Sequence, residues 1–455
     1  MYSHTKKITA VLLSLVMLMS AFSVCAFAKT DDTNIITAAD AKAAAKLATA
    51  SDEISANIIL PGISQSNATY CDADGNPILK GDGGELSGGL LIIDDTDLVP
   101  KLLKQLLWPL LSSLFLQHTN SKLAERVRAV VDDLFSIQRT DKTGKAVNNL
   151  VLDTFPYPLS EYSQDDKDYF YRRLPMWSVI DAIEAKYGVD GEKYTYLYTF
   201  PLIGDPMESA AGLRDFIALV KEQTGCAKVN LIAISMGGSI LSGYLDLVRE
   251  DGGDYSDIDK IINIVAALDG SDIIADFYAR SWNLEDEFLY GEYVPLIMEA
   301  ENNDAWIGHA INVALRIFPK DTIYTILTAA FDGILENLLL YDAQFWATVP
   351  SDRYEELADR YFSTEDTAVM RARTDRFQTC RLNLKDNLQA AVSGYGVEVY
   401  SVAGYDRKYT SGDYAFLGIV ASNAGANSDS IIDIDSTTLG TTYAPAGEKL
   451  DYEGD

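Results

Sequence analysis

Apolar positions along this chain fall into two kinds of run. Short, nearly unbroken runs occupy residues 57–60, 194–200, 229–234, 261–268 and 397–403. They are brief and rich in Ile, Val and Tyr, which predicts strands. Residues 229–234 are interrupted only by Asn230, the pattern of a strand covered on both faces. Between these runs the spacing lengthens. Leu213, Phe216, Ile217 and Val220 recur at helical intervals within residues 210–224, and Gly225 closes that helix. Residues 39–48 predict a short helix, and 98–117 an apolar helix containing Lys101, Lys104 and Pro109. Residues 118–190 read as mixed helix and loop, and 271–390 as a long, mostly helical stretch. Strands alternating with helices predict an α/β fold with a mainly parallel sheet.

Composition narrows the partners. The chain has 455 residues, with 37 Lys+Arg against 67 Asp+Glu and a net charge of −30. A balance this acidic argues against nucleic-acid binding, which needs clustered cations to displace counterions. Residues 1–28 have the layout of a secretory signal: Lys6 and Lys7, an apolar stretch over 8–24, then Ala26, Phe27 and Ala28 as a small-residue cleavage site. An uncleaved anchor is the competing reading, and lipidation of Cys25 is disfavoured by Val24 before it. Residues 29–56 read as a spacer. Export leaves Cys71, Cys226 and Cys380, enough for at most one internal disulfide and with no zinc spacing. The acidic stretch 72–77 suggests a hairpin turn rather than a calcium loop, since it misses the full ligand spacing. No cofactor or metal is implied.

The candidate chemistry begins at Ser235. Ala233, Ile234, Ser235, Met236, Gly237 and Gly238 stand where the buried run of 229–234 gives way to a predicted helix over 239–245. Small residues two before and two after the serine let such a strand–turn–helix close sharply and force the hydroxyl out at its apex, toward a helix N-terminus. Ala233 stands where the usual pattern has glycine. Ser235 is therefore the candidate nucleophile.

With these pieces in place the chain resembles α/β-hydrolases, and within them the lecithin:cholesterol acyltransferase-like lipases. Residues 60–66 (Leu-Pro-Gly-Ile-Ser-Gln-Ser) look like the loop after that fold's third strand, and 229–238 like its nucleophile elbow. Residues 267–271 occupy the place of a glycine–serine turn after the sixth strand. Residues 427–432 (Asn-Ser-Asp-Ser-Ile-Ile), followed by Ser436 and Gly440, look like the acidic-residue loop. Where the family often has an aromatic-rich motif after the fourth strand, this chain has Pro201, Leu202, Ile203 and Gly204. The resemblance implies a core over 57–270 and 391–455, an insertion over about 85–190, and a helical cap over 271–390 before the seventh strand. It places the oxyanion donors on the backbone N–H groups of Ile63 and Met236, and favours Asp429 as the acid. Position alone, directly after the last strand run, favours Asp406.

The base is the gap. The fold orders its triad as serine, acid, histidine, yet no histidine follows Asp429. The three in the chain are His4, His118 and His309. His118 precedes the nucleophile and His309 lies in the helical stretch, where it reads as a cap residue. No apolar run after Asp435 can serve as an eighth strand. The expectation is a sequence that stops before that strand and its histidine, leaving the seventh strand with an unpaired edge. The cap aromatics Phe277, Tyr278, Trp282, Phe288, Trp306, Phe331, Phe345 and Trp346 either wall an apolar site or pack one another, and helix 98–117 could form a second flap. The function expected is a secreted serine hydrolase acting on lipid or apolar carboxylic esters, or transferring their acyl groups. The competing class is a hydrolase-fold binding protein at the cell surface that does no chemistry. Oligomeric state is not legible. Export should yield a mature protein beginning at Lys29. N-terminal sequencing of secreted material checks this, and an intact Met1 would mean a tethered protein instead.

Overall fold

The computed structural model describes residues 54–89, 92, 94, 96, 98–174, 177–293, 315–405, 428, 429, 431–445 and 448. Five parallel strands form its main sheet: β1 (Ala56–Leu60), β5 (Thr195–Leu197), β6 (Val229–Ile234), β7 (Ile258–Ile264) and β8 (Glu398–Val402), in the order β5-β1-β6-β7-β8. Register is continuous across the centre, with Ile58 paired to Tyr196 and Leu231, and Ile261 to Val399. A small antiparallel sheet, β3-β2-β4, joins β2 (Ala68–Cys71), which precedes the first insertion, to β3 (Ser87–Gly88) and β4 (Asn149–Leu152) within it.

Alternation along the strands divides the core. Ile58, Leu60, Tyr196, Leu231, Ala233 and Ile261 join the larger apolar cluster, while Ile59, Leu197, Ile232 and Ile234 join a second with Leu159, Phe170, Leu174 and Ile180. Both faces are apolar because helices cover both, which is why residues 229–234 read as a continuous run. The second cluster draws on α3 (Gln164–Arg173) and α4 (Trp177–Tyr187). On the other face, α5 (Pro206–Thr224) packs against α6 (Gly237–Glu250). Asp205 caps α5 by accepting from the Met207 N–H at 2.9 Å, Pro206 occupies its first turn, and Gly225 ends it at φ 72°. That cap starts the helix four residues before the apolar periodicity does.

Other boundaries shift for similar reasons. The run at 261–268 begins as strand at Ile258 and leaves the ladder at Val265, whose φ of 42° turns the chain away. Only Thr195–Leu197 of the run at 194–200 pairs, because Gly191–Tyr194 forms a 3₁₀ turn. The stretch at 72–77 is a turn, with Asp72 N–H donating to the Asn76 carbonyl at 2.9 Å. Cys71, Cys226 and Cys380 are buried free thiols.

The insertion helix α1 (Leu98–Leu116) buries Leu102, Leu106 and Leu110 and packs on α2 (Leu123–Leu134). Among the described residues no helix is long and apolar enough to cross a membrane. In the later stretch, α7 (Asp272–Ala279), α8 (Lys320–Ile334), α9 (Ala343–Trp346) and α10 (Ser351–Tyr361) precede α11 (Ala368–Tyr395). Helix α8 sits against α2, with Gly333 leaving room for Val131. Helix α11 instead crosses α6 and leads into β8, so the end of this stretch belongs to the helical layer of the sheet.

That crossing is fixed by one buried carboxylate. Asp246 on α6 is fully buried and accepts from Arg376 at 2.8 Å, Arg249 at 2.9 Å and Asn383 at 3.0 Å. Although burial opposes its ionisation, hydrogen bonds from Arg376, Arg249 and Asn383 hold it well below the usual carboxylate range. Its stabilising contribution is therefore present above the ordinary carboxylate pKa and lost on strong acidification. Asp246→Ala removes the buried acceptor shared by Asn383 and the partly exposed Arg376 and Arg249, and should lower stability by about 1–3 kcal/mol, read by urea unfolding near neutral pH.

Candidate active site

Ser235 sits at the tip of β6 with φ 49°, a left-handed conformation that non-glycine residues rarely adopt. The turn is over-determined. Ser235 N–H donates to the Ile264 carbonyl at 3.1 Å, and its own carbonyl accepts from Gly238 at 3.0 Å and Ala267 at 2.9 Å. Gly237 is required where it stands, since a Cβ there would lie 2.4 Å from the Leu60 carbonyl oxygen. Gly238 is nearly as confined, against Ala266 and Ala267. The serine thereby points into the space before α6, whose first-turn N–H groups have no partner inside the helix. Met236 occupies the N-cap of that helix.

Facing this turn is the loop after β1. Gly62 approaches so closely that a Cβ on it would lie 3.0 Å from Ser235 Cβ. Gln65, to which the sequence reading gave no role, ties the loop back on itself. Its Oε1 accepts from Gly62 N–H at 2.5 Å and its own N–H donates to the Gly62 carbonyl at 3.3 Å. An amide side chain three residues after the glycine of the Leu-Pro-Gly-Ile-Ser-Gln stretch was the available signal. Ile63 and Met236 both line the same cavity as Ser235.

The acidic loop completes the cavity wall. Asp429 lies beside Gly404, just after β8, where a side chain on the glycine would collide with it. Its Oδ1 accepts from the N–H groups of Ile431 at 2.8 Å and Ile432 at 2.7 Å, an Asx-type turn that sets the carboxylate. The loop is docked onto the turn following β7. Asp269 N–H donates to Ser436 Oγ at 3.0 Å, Ser436 Oγ donates to the Gly270 carbonyl at 2.7 Å, and Ser271 Oγ donates to the Ile431 carbonyl. The glycine–serine turn at 267–271 and the acidic-residue loop with Ser436, read separately in the sequence, are thus halves of one contact. Asp406 and His309 lie outside the described residues. His118 is exposed near the end of α1 and is not among the cavity residues.

The cavity holds about 260 Å³ and is walled mainly by hydrocarbon. Ser235, Asp429, Ile63 and Met236 all reach it, together with Gln65, Val265, Ala267, Ile274, Phe345 and Thr348. Of the cap aromatics among the described residues only Phe345 does so. Phe277, Trp282 and Phe331 pack one another with centroids 4.8–6.0 Å apart, and Trp346 stacks on Tyr278 at 4.5 Å and Phe362 at 4.8 Å. Among the described residues none on α1 lines the cavity; the helix buries Leu102, Leu106 and Leu110 and leaves Leu107, Trp108, Phe115 and Leu116 exposed. No histidine lines the cavity among the described residues.

No family model and no curated protein matches this chain. Among solved structures it is similar to a ligand-bound form of the rice cell wall degrading esterase LipA from Xanthomonas oryzae, at 13% identity over 54% of this chain and 71% of that one, with a TM-score of 0.22. A second crystal structure of that esterase gives 13% identity, the same coverage and a TM-score of 0.20. The α/β assignment rests on the parallel strand order and the turn at Ser235 themselves.

The local field is negative. Burial pushes the Asp433 carboxyl up to about 6, with the neighbouring Asp272 and Asp429 adding to the effect. Asp433 Oδ2 accepts from the Asp272 N–H at 3.3 Å, at the start of α7. Because this folded-state pKa is raised from 3.8, the contribution of Asp433 is present below the ordinary value and lost as pH rises through about 6. Asp433→Asn should flatten the stability profile across that window, measured by thermal unfolding at a series of pH values.

Proposed function

We propose that this chain is a serine ester hydrolase acting on apolar carboxylic esters through an acyl-enzyme. The observation that carries the reading is the strained Ser235 turn sharing one apolar cavity with Asp429 and with the N–H-bearing residues Ile63 and Met236. In this scheme Ser235 Oγ attacks the ester carbonyl carbon while its proton passes to a base. The oxyanion that forms is held by the backbone N–H groups of Ile63 and Met236, each such donor being worth about 3 kcal/mol of barrier. The carbon–oxygen bond to the alcohol then breaks, the alcohol leaves with the proton, and water releases the acid. A second alcohol in place of water would make the outcome acyl transfer.

Asp429 calls for an imidazole between itself and the serine, whose protonated form its carboxylate would stabilise. The competing reading is a non-catalytic binding protein, since among the described residues no histidine lines the cavity. We also propose export, on the strength of residues 1–28.

The test is chemical rescue. The 455-residue chain should cleave a short p-nitrophenyl ester slowly, and added imidazole should raise the Ser235-dependent part by roughly tenfold or more, as general-base catalysis allows. Ser235→Ala supplies the background and should show no saturable rescue. A fluorophosphonate should label the serine in the parent chain. Absence of both labelling and rescue would move the protein to the binding class.

A further inference from the structure

The cavity beside Ser235 is uniform in its chemistry. Its polar members are already engaged with the protein: the Thr348 hydroxyl donates to the Phe345 carbonyl at 2.7 Å, the Ser271 hydroxyl to the Ile431 carbonyl, and Asp429 Oδ1 takes two backbone N–H groups. What faces inward between them is hydrocarbon from Val265, Ala267, Ile274 and Phe345. Among the described residues no lysine or arginine lines it, and its one charged side chain is a carboxylate. Phosphate, sulfate or a free carboxylate inside it would meet repulsion and no cation.

We propose that this cavity is the acyl site and that it admits a neutral, unbranched aliphatic acyl group of medium length, with Phe345 and Ala267 setting the limit. The inference rests on Ser235 being the nucleophile and adds the substrate class. A volume of about 260 Å³, at roughly 30 Å³ for each water-sized group, holds about eight such groups, a hexanoyl to octanoyl chain. Longer acyl groups must extend beyond this cavity. Phe345 is held from behind, since it lies on α9, whose neighbour Gln344 donates its N–H to the Gly204 carbonyl at 3.1 Å. The loop after β5 thus fixes the wall of the acyl site from outside it.

The experiment uses the whole chain and a series of n-alkyl phosphonofluoridates from ethyl to hexadecyl, with Ser235 labelling followed by intact mass. In each reaction Ser235 Oγ bonds to phosphorus, fluoride leaves, and the hydroxyl proton goes to buffer. Labelling should rise by about fourfold per methylene to an optimum near octyl, then fall. Ala267→Leu fills the cavity and should shorten the optimum by about three carbons, and the milder Phe345→Leu should lengthen it by about two. Binding of 1-alkanols from butanol to dodecanol, followed by calorimetry, should show the same optimum and the same two shifts without any reaction. Equal labelling at all lengths, unmoved by either substitution, would overturn the acyl-site assignment while leaving a reactive serine. No labelling at any length, with alkanol binding still peaking near octanol, would remove the nucleophile and leave the site. Alkanol binding without length dependence would remove the site.

Discussion

Two segments of backbone meet at Ser235 with no room between them. Gly237 lies against the carbonyl of Leu60, and Gly62 against the β-carbon of the serine. Because β1 and β6 are adjacent and in register, Leu60 opposite Ala233, the ladder that pairs the strands also sets the distance between the loop and the turn that leave them. The loop after β1 and the Ser235 turn, from separate parts of the chain, are thereby brought together by sheet pairing, and the Gln65 tie and the hydrogen bonds of the turn hold them there. The precision of such a site comes from rigid elements and not from the loops. This explains why the surrounding positions are small or apolar: Ala233, Ala266 and Ala267 are all buried against the turn.

A second junction holds the rest to this centre. Asp269, in the turn after β7, accepts from Ser351 N–H at 3.1 Å and Ser351 Oγ at 3.0 Å, and receives the field of Arg381 at 3.6 Å. Arg381 is itself buried on α11 and donates to the carbonyls of Val349 and Ala347, while burial pulls its pKa down to about 10. The same turn receives Ser436 from the acidic loop. One guanidinium and one carboxylate therefore join the helix under the sheet, the chain entering α10, and the loop that carries Asp429. With Arg381 buried and the Asp269 side chain 37% exposed, the pair contributes little net stability for the desolvation of the guanidinium, and its use here is geometrical. It fixes three segments that share no secondary structure.

Much of this was legible in the sequence, unevenly and for identifiable reasons. Residues 229–238 announced themselves because two constraints coincide there: an apolar run for a doubly covered strand, and small residues for a tight turn. Residues 397–403 were equally plain as a strand. The docking of Ser436 on Gly270 was not, since hydrogen bonds between distant loops leave no periodic trace. Nor could spacing tell which aromatic of the cap faces the cavity. Phe345 and Trp346 are adjacent and equally apolar, and only the direction of a four-residue helix separates them. Helix α11 looked like cap because its polar face, with Arg376, Asn383 and Asn387, gives no hint that a buried Asp246 awaits it. Gln65 was passed over because an amide beside a Pro-Gly turn is ordinary until its backbone partner is known. Asp406 and His309 belong to segments outside the described residues.

The conformation of Ser235 carries a burden that has nothing to do with contacts. A side chain held at a φ of 49° costs the folded state on the order of 1 kcal/mol relative to glycine, which enters that region freely. Val265, branched at its β-carbon and held at a φ of 42° beside it, adds to the load. In a molecule whose whole margin of stability is on the order of 10 kcal/mol, glycine at position 235 would relieve the turn and keep the fold. Selection for folding alone therefore pulls this position toward glycine. On the proposed reading a serine stands against that pull for the sake of its hydroxyl, and stability and chemistry make opposite demands on the same residue.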